Sequence, residues 1–226
     1  MDQGKINAGK EIAKRVRDGD LIAAGTGSTV EAALKEIGRR VSEERIRLSI
    51  VPTSLKTAEA AARCGITVVD PTSVDEFEWG FDGADEVDPR LRLIKGGGGA
   101  MLMEKILAVR CKRFIVIVDE SKLVQRLGER CPVPVEVIPE ATSYVKDKLL
   151  SLGAERAVIR KAKAKHGPVI TEKGNMIVDA SFAEIGDDLE DSINQITGVV
   201  ENGLFTDHAD EIIVGRTEGV SIMNRS

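Results

Sequence analysis

Leu21-Ile-Ala-Ala-Gly-Thr-Gly-Ser-Thr29 is the stretch on which the fold turns. A short apolar run ends in glycine at Gly25, a turn of glycine, serine and threonine follows, and residues 30–37 have helical spacing. Strand, hydroxyl-rich turn and helix form half of a βα unit. The start of the helix presents N–H groups that have no partner inside the helix, which suits an anion. Thr26, Ser28 and Thr29 add hydroxyl donors. Two nucleotide motifs fail here. The dinucleotide fingerprint wants glycine where Val30 stands, and no lysine follows the turn as a Walker loop requires. A small phosphate monoester fits the turn better. Taken alone, the turn also reads as an N-capped loop with no ligand.

The pattern repeats outward from this unit. Residues 3–17 place Ile6, Ala8, Ile12, Ala13 and Val16 on one helical face, and Asp18-Gly-Asp20 closes it with a turn. Strands are expected at residues 48–51, 67–69, 77–81, 91–94 and 113–118, with helices at 54–64 and 100–111. Short strands alternating with helices predict an α/β fold, a Rossmann-like, mostly parallel sheet with helices on both faces. Ligands of such sheets sit beyond the carboxyl ends of the strands. Gly25, Asp82, Lys95 and Asp119 all follow strand ends in this reading, so the polar candidates are expected along one rim.

Three prolines fall within residues 132–139 and mark a boundary near residue 128. Beyond it the expected order is strand 133–138, helix 141–152, strands 157–160 and 176–180, helix 189–196 and strand 199–205. That β-α-β-β-α-β order predicts a smaller ferredoxin-like α+β domain. A hairpin at residues 211–215 and 220–223 is expected to return to the first domain. The expected division is therefore residues 1–127 with 207–226, and residues 128–206.

Composition narrows the function. The chain has 226 residues and a formal charge of −5, with one Trp, one Tyr and five Phe. Few aromatics and no excess of positive charge argue against a nucleic-acid surface or binding to anionic membranes. No apolar run has the length of a membrane span. Residues 2–20 are too polar for a signal peptide. Cys64, Cys111 and Cys131 are odd in number and far apart, which suggests neither zinc ligation nor a disulfide framework. A reducing, cytoplasmic setting is expected.

The densest chemistry lies in Phe81-Asp-Gly-Ala-Asp-Glu-Val-Asp88 and in Lys95-Gly-Gly-Gly-Gly-Ala-Met-Leu-Met-Glu-Lys105. Glu104 sits on a helix that is apolar nearly all round, where a carboxylate is costly unless paired or working. Partial desolvation raises a carboxyl pKa, the direction a general base needs. Asp82 and Asp85, separated by Gly83 and Ala84, end a strand and suit sugar hydroxyls or a metal; His166 and His208 are not placed to complete a metal set. Lys95 opens the run Gly96, Gly97, Gly98 and Gly99, which permits close backbone approach to a ligand. Lys122 follows another strand end. Each piece has a plainer reading: a helix-surface Glu, turn-forming Asp residues, a glycine linker, a surface lysine. Together they suit proton abstraction beside the carbonyl of a sugar phosphate, most simply an aldose–ketose isomerisation through an enediolate.

These motifs, taken in order with Pro134-Val-Glu-Val-Ile-Pro139 and Gly198-Val-Val-Glu-Asn-Gly-Leu-Phe205, resemble the type A ribose-5-phosphate isomerase family over essentially the whole chain. One departure is Ala23, where many relatives have glycine. The resemblance implies interconversion of D-ribose 5-phosphate and D-ribulose 5-phosphate in the non-oxidative pentose phosphate pathway, with no metal and no cofactor. It implies Glu104 as proton acceptor, with Asp82, Asp85 and Lys95 assisting. Thr26, Gly27, Ser28, Thr29, Asp82, Gly83, Ala84, Asp85, Lys95, Gly96, Gly97, Gly98 and Lys122 are the implied substrate contacts. A homodimer or homotetramer is implied as well. Two other classes compete on residue grounds: a sugar-phosphate sensor, which needs a fused DNA-binding element, and a coenzyme A transferase-like enzyme, which also uses a Glu.

Overall fold

The computed structural model describes residues 2–164 and 166–225. In chain order the elements are α1 (Gln3–Ala13), β1 (Asp20–Ala24), α2 (Ser28–Glu44), β2 (Leu48–Pro52), α3 (Leu55–Arg63), β3 (Thr67–Val68), β4 (Gly80–Asp82), β5 (Glu86–Val87), β6 (Leu93–Ile94), α4 (Met101–Ala108) and β7 (Phe114–Asp119). They continue as β8 (Val133–Val137), α5 (Thr142–Ser151), β9 (Ala154–Ile159), β10 (Met176–Phe182), α6 (Leu189–Asn194), β11 (Val199–Asn202), β12 (Leu204–Phe205), β13 (Glu211–Gly215) and β14 (Val220–Asn224). The chain divides into two compact units, residues 1–84 with 103–123 and 208–226, and residues 85–102 with 124–207.

The first unit holds a seven-stranded sheet in the order β14-β13-β7-β4-β1-β2-β3. Every pairing is parallel except β13 with the edge strand β14. The interior strand β7 is buried at all six positions, as expected of a parallel strand covered on both faces. The core joins Ile22 and Ala24 of β1 and Ile115 and Ile117 of β7 to Ala8 and Ile12 of α1 and Leu34 and Ile37 of α2. α1 and α2 pack closely because Gly9 carries no side chain. A Cβ there would lie 3.0 Å from the Ala33 backbone.

The α/β class and the mostly parallel sheet agree with the sequence reading; several element limits differ. α1 ends at Ala13, not at residue 17. There the chain turns, with the Asp20 carboxylate accepting from the Arg17 N–H and Gly19 donating to Arg47 O. α2 runs on through Gly38 to Glu44. Gly38 is tolerated because a Cβ would meet Cys64 at 2.6 Å, and Arg39–Glu43 and Arg40–Glu44 pairs support the last turns. Phe77 makes only an isolated bridge with Cys111, and β4 is confined to Gly80–Asp82.

The second unit holds a four-stranded antiparallel sheet, order β11-β8-β10-β9, with α5 and α6. This is the ferredoxin-like plan read from the element order. Val135, Val137, Val145, Leu149, Val178 and Ile193 are in its core. The unit also holds a small three-stranded sheet, order β12-β6-β5, which sequence does not suggest. The stretch 199–205 is therefore two strands. β11 pairs with β8 and β12 pairs with β6, and Gly203 breaks the run between them. This corrects the position of Lys95. It follows β6, an antiparallel strand of two residues, and does not extend from a strand of the seven-stranded sheet. Residues 85–102, expected with the first domain, belong to the second compact unit for the same reason: β5 and β6 pair with each other and with β12. Within this unit, Glu86 of β5 fastens the small sheet to residues 128–131. It is fully buried and accepts from the N–H groups of Gly128 (2.7 Å), Arg130 (2.6 Å) and Cys131 (2.7 Å).

Candidate active site

The phosphate-binding candidate is built at the end of β1. Gly25 donates to Phe81 O at 2.8 Å, which holds the turn against β4. A Cβ on Gly25 would sit 1.8 Å from Asp82 Cγ, so only glycine fits. Asp82, 1% exposed, accepts through Oδ1 from Thr26 N–H (2.9 Å) and Gly83 N–H (2.7 Å). One carboxylate oxygen thus ties the turn after β1 to the turn after β4.

Thr26 reaches inward. Its hydroxyl lies 2.7 Å from Thr53 Oγ1, 2.8 Å from Ser54 Oγ and 3.1 Å from Thr57 Oγ1. Thr57 in turn donates to Gly25 O at 2.8 Å. This hydroxyl cluster under the turn has no sequence signature, because its members come from the turn after β1, the β2–α3 connection and the first turn of α3. Its effect is to leave the backbone and Ser28 as the outward-facing donors. Gly27, with φ of 132°, is the N-cap of α2 and supplies no side-chain cap. The first N–H groups of α2 therefore keep their capacity for an anion. Thr29 is buried and Ser28 is exposed. Lys5 of α1 donates to Ser28 Oγ at 3.0 Å and lies 4.0 Å from Asp119 Oδ2. A cation thus stands beside the helix start. Lys122 is half-buried in the short turn Glu120–Lys122 after β7.

Glu104 lies in the first turn of α4 and is 4% exposed; Met101, Leu107 and Ala108 on the same helix are buried with it. Cys111, just past α4, is pushed up to about 12 by burial. Its thiol is neutral near pH 7 and is no candidate base. Among the described residues no group of three or more His, Cys, Asp or Glu side chains is placed to hold a metal ion.

The second unit carries the remaining candidates. Asp85 accepts from Gly97 N–H at 2.7 Å, and a Cβ on Gly97 would come within 2.8 Å of that carboxylate. The carboxylate and the glycine run are thereby one local structure. Gly96 has φ of 95°, a conformation that favours glycine. Lys95 is 1% exposed. Its N–H donates to Gly203 O at 2.8 Å, and its Nζ stands 5.4 Å from the centre of the Phe205 ring. A Cβ on Gly203 would collide with Lys95 O at 2.2 Å. Gly203 and Phe205, more than a hundred residues on in the sequence, thus seat the lysine. Of the implied site residues, the structure links Thr26, Asp82 and Gly83 in one unit and Asp85 and Gly97 in the other. Ala84 and Asp85 are adjacent in the chain across the division.

Comparisons with known proteins agree on one family. The sequence model described as ribose 5-phosphate isomerase A (phosphoriboisomerase A) matches residues 49–219. Ribose-5-phosphate isomerase A of Methanothermobacter thermautotrophicus is 50% identical over 210 residues, covering 92% of both chains. The structure of ribose 5-phosphate isomerase A from Methanocaldococcus jannaschii superposes with a TM-score of 0.93 at 44% identity, covering 97% of each chain. A D-ribose-5-phosphate isomerase solved in complex with phospho-erythronic acid gives a TM-score of 0.94 at 44% identity, covering 98% of this chain and 97% of that one.

Proposed function

The chain belongs to the ribose 5-phosphate isomerase A family, and we propose that it interconverts D-ribose 5-phosphate and D-ribulose 5-phosphate through an enediolate, with Glu104 as the base and no metal. Glu104 carries the reading: it is a carboxylate 4% exposed in the first turn of an apolar helix, directly downstream of a lysine and four glycines. A buried carboxylate in such surroundings is suited to take a proton from carbon. The complex of a relative with phospho-erythronic acid, a four-carbon acid bearing a phosphate, supports a sugar-phosphate substrate for this chain.

The remaining roles follow from the chemistry of the groups. The phosphate is held by the N–H groups at the start of α2 and by Ser28, with Lys5 and Lys122 supplying positive charge. Asp82 and Asp85 accept from sugar hydroxyls and assist ring opening. Glu104 removes the C2 proton of the open aldose, and the electron pair forms the enediolate. The proton of the C2 hydroxyl passes to the C1 oxygen, the same Glu returns its proton to C1, and the C2 oxygen becomes the ketone. Lys95 and the N–H group of Gly98 in the glycine run stabilise the negative oxygen while it exists. Membership of the pentose phosphate pathway, a cytoplasmic location and assembly as a homodimer or homotetramer belong to the same reading. No helix among the described residues is long and apolar enough to cross a membrane.

Isotope incorporation tests the enediolate. In D2O, the mixture formed from unlabelled ribose 5-phosphate is expected to gain deuterium at ketose C1 and aldose C2 over many turnovers, as read by NMR. An equilibrium mixture that stays unlabelled contradicts a base-carried proton and points to hydride transfer.

A further inference from the structure

Arg160 and Asp179 belong to none of the motifs above, yet they act directly on the glycine run. Arg160 follows β9, and its backbone is fixed on both sides: its N–H donates to Ile177 O at 2.8 Å and its carbonyl accepts from Val169 N–H at 2.9 Å. Its side chain is only 17% exposed. Nε and Nη2 form a two-pronged bridge to the carboxylate of Asp179 on β10, with the Nε contact at 2.9 Å. Nη1 is turned to the glycine run, where it donates to Gly96 O at 2.9 Å and to Gly97 O at 3.1 Å.

Holding two successive carbonyls on one cation fixes the two peptide planes that follow. In a trans peptide the N–H points opposite to the C=O. The N–H groups of Gly97 and Gly98 are therefore turned away from Arg160. That of Gly97 is taken by Asp85 Oδ2. That of Gly98 makes no hydrogen bond among the described residues, and Gly98 is exposed. A run of four glycines is otherwise the most freely moving backbone a chain can have. The cation also draws electron density from both carbonyls, which strengthens their N–H groups as donors.

We propose that Arg160, braced by Asp179, is a positioning residue that orients the Gly97–Gly98 peptide so that the Gly98 N–H donates to the substrate oxygen that becomes negative in the enediolate. The proposal rests on the reading of the glycine run as a substrate contact. It assigns Arg160 no contact with the substrate itself, and it places the effect of Arg160 in the transition state and not in phosphate binding.

The test uses the full-length enzyme with Arg160→Ala, Arg160→Lys and Asp179→Asn. The readouts are kcat and KM for ribose 5-phosphate, the inhibition constant of inorganic phosphate, and hydrogen exchange of the peptide containing residues 96–99. Arg160→Ala is expected to lower kcat by about 10²-fold, the scale for losing an oriented oxyanion donor. KM and the phosphate inhibition constant stay within about threefold, as expected when the lost interaction exists only in the transition state. Arg160→Lys, which lacks the planar fork, recovers less than about a tenth of the lost rate. Free guanidinium at millimolar concentration raises the kcat of Arg160→Ala. Exchange of the Gly97 and Gly99 amides quickens in every variant. Should Arg160→Ala fail to fold, Asp179→Asn carries the same expectation of a kcat loss at unchanged phosphate inhibition. Parent-level kcat in a folded variant, or a loss expressed through KM and phosphate inhibition, overturns the proposal. If the parent enzyme itself formed no ketose, the underlying reading would fall, and unchanged exchange at residues 96–99 would then separately overturn the positioning role.

Discussion

Glu104→Gln is expected to lower kcat for ribose 5-phosphate by about 10²–10⁴-fold, the contribution of a general base, with KM changed by less than about threefold. Glutamine matches the shape of Glu104 and leaves α4 its helix-forming residue, so the variant should fold as the parent does. It cannot take a proton from C2. A side chain that served only to anchor α4 would give the opposite pattern, a lowered melting temperature with kcat per folded molecule intact. Measurement of kcat, KM and thermal midpoint on the same preparation separates the two. A Glu104→Gln variant that isomerises at the parent rate removes Glu104 from the mechanism.

Gly25→Ala is expected to have the second largest effect, although no group that does chemistry is altered. The added Cβ would lie 1.8 Å from Asp82 Cγ and Oδ1. The carboxylate must then leave the N–H groups of Thr26 and Gly83, or the turn must move off β4. Overpacking of this kind costs about 1–3 kcal/mol. A displacement of about 1 Å in a positioned group costs about 10²-fold in rate. The urea midpoint should therefore fall, and kcat/KM should fall by about 10²-fold or more. Gly19→Ala is the control, since Gly19 has a positive φ of 86° but nothing within 4 Å of an added Cβ. It should lose some stability and keep its kcat/KM. Parent-level kcat/KM in Gly25→Ala would contradict the tight seating of the turn on Asp82.

The parts of this arrangement that sequence reveals are those carried by local pattern. β1, its turn and α2 are legible because an apolar run, a glycine and a helical period follow one another within Leu21 to Ile37. β7 is legible because Phe114 to Val118, five consecutive buried positions, are all apolar. The order β8-α5-β9-β10-α6-β11 can be read because each piece has its own periodicity. The elements that escape are those too short to have a period. β5, β6 and β12 have two residues each, and only pairing with one another makes them strands. That is why sequence alone places Lys95 after the wrong kind of strand.

The site divides in the same way. Asp82, Asp85, Lys95 and Glu104 are conspicuous because charge beside glycine or on an apolar helix is locally unusual. Their supports are not conspicuous. Phe205 under the Lys95 ammonium, the hydroxyls of Thr53, Ser54 and Thr57 around Thr26, and Arg160 on the glycine carbonyls are ordinary residues in sequence. Register and side-chain direction alone bring them to their partners. Gly203 was the one available signal, since a glycine that interrupts a strand marks a close backbone approach, here to Lys95 O.

A coenzyme A transferase-like reaction also uses a glutamate, but it passes through a thioester that hydroxylamine traps, and an isomerase forms none. The central claim, that this chain is an aldose–ketose isomerase needing no metal, is tested most directly by incubating the EDTA-treated protein with ribose 5-phosphate and assaying for ketose. Ketose formation at the same rate with and without EDTA is the predicted result. No ketose in either sample would contradict the isomerase assignment, and ketose that disappears with EDTA would contradict the metal-free mechanism.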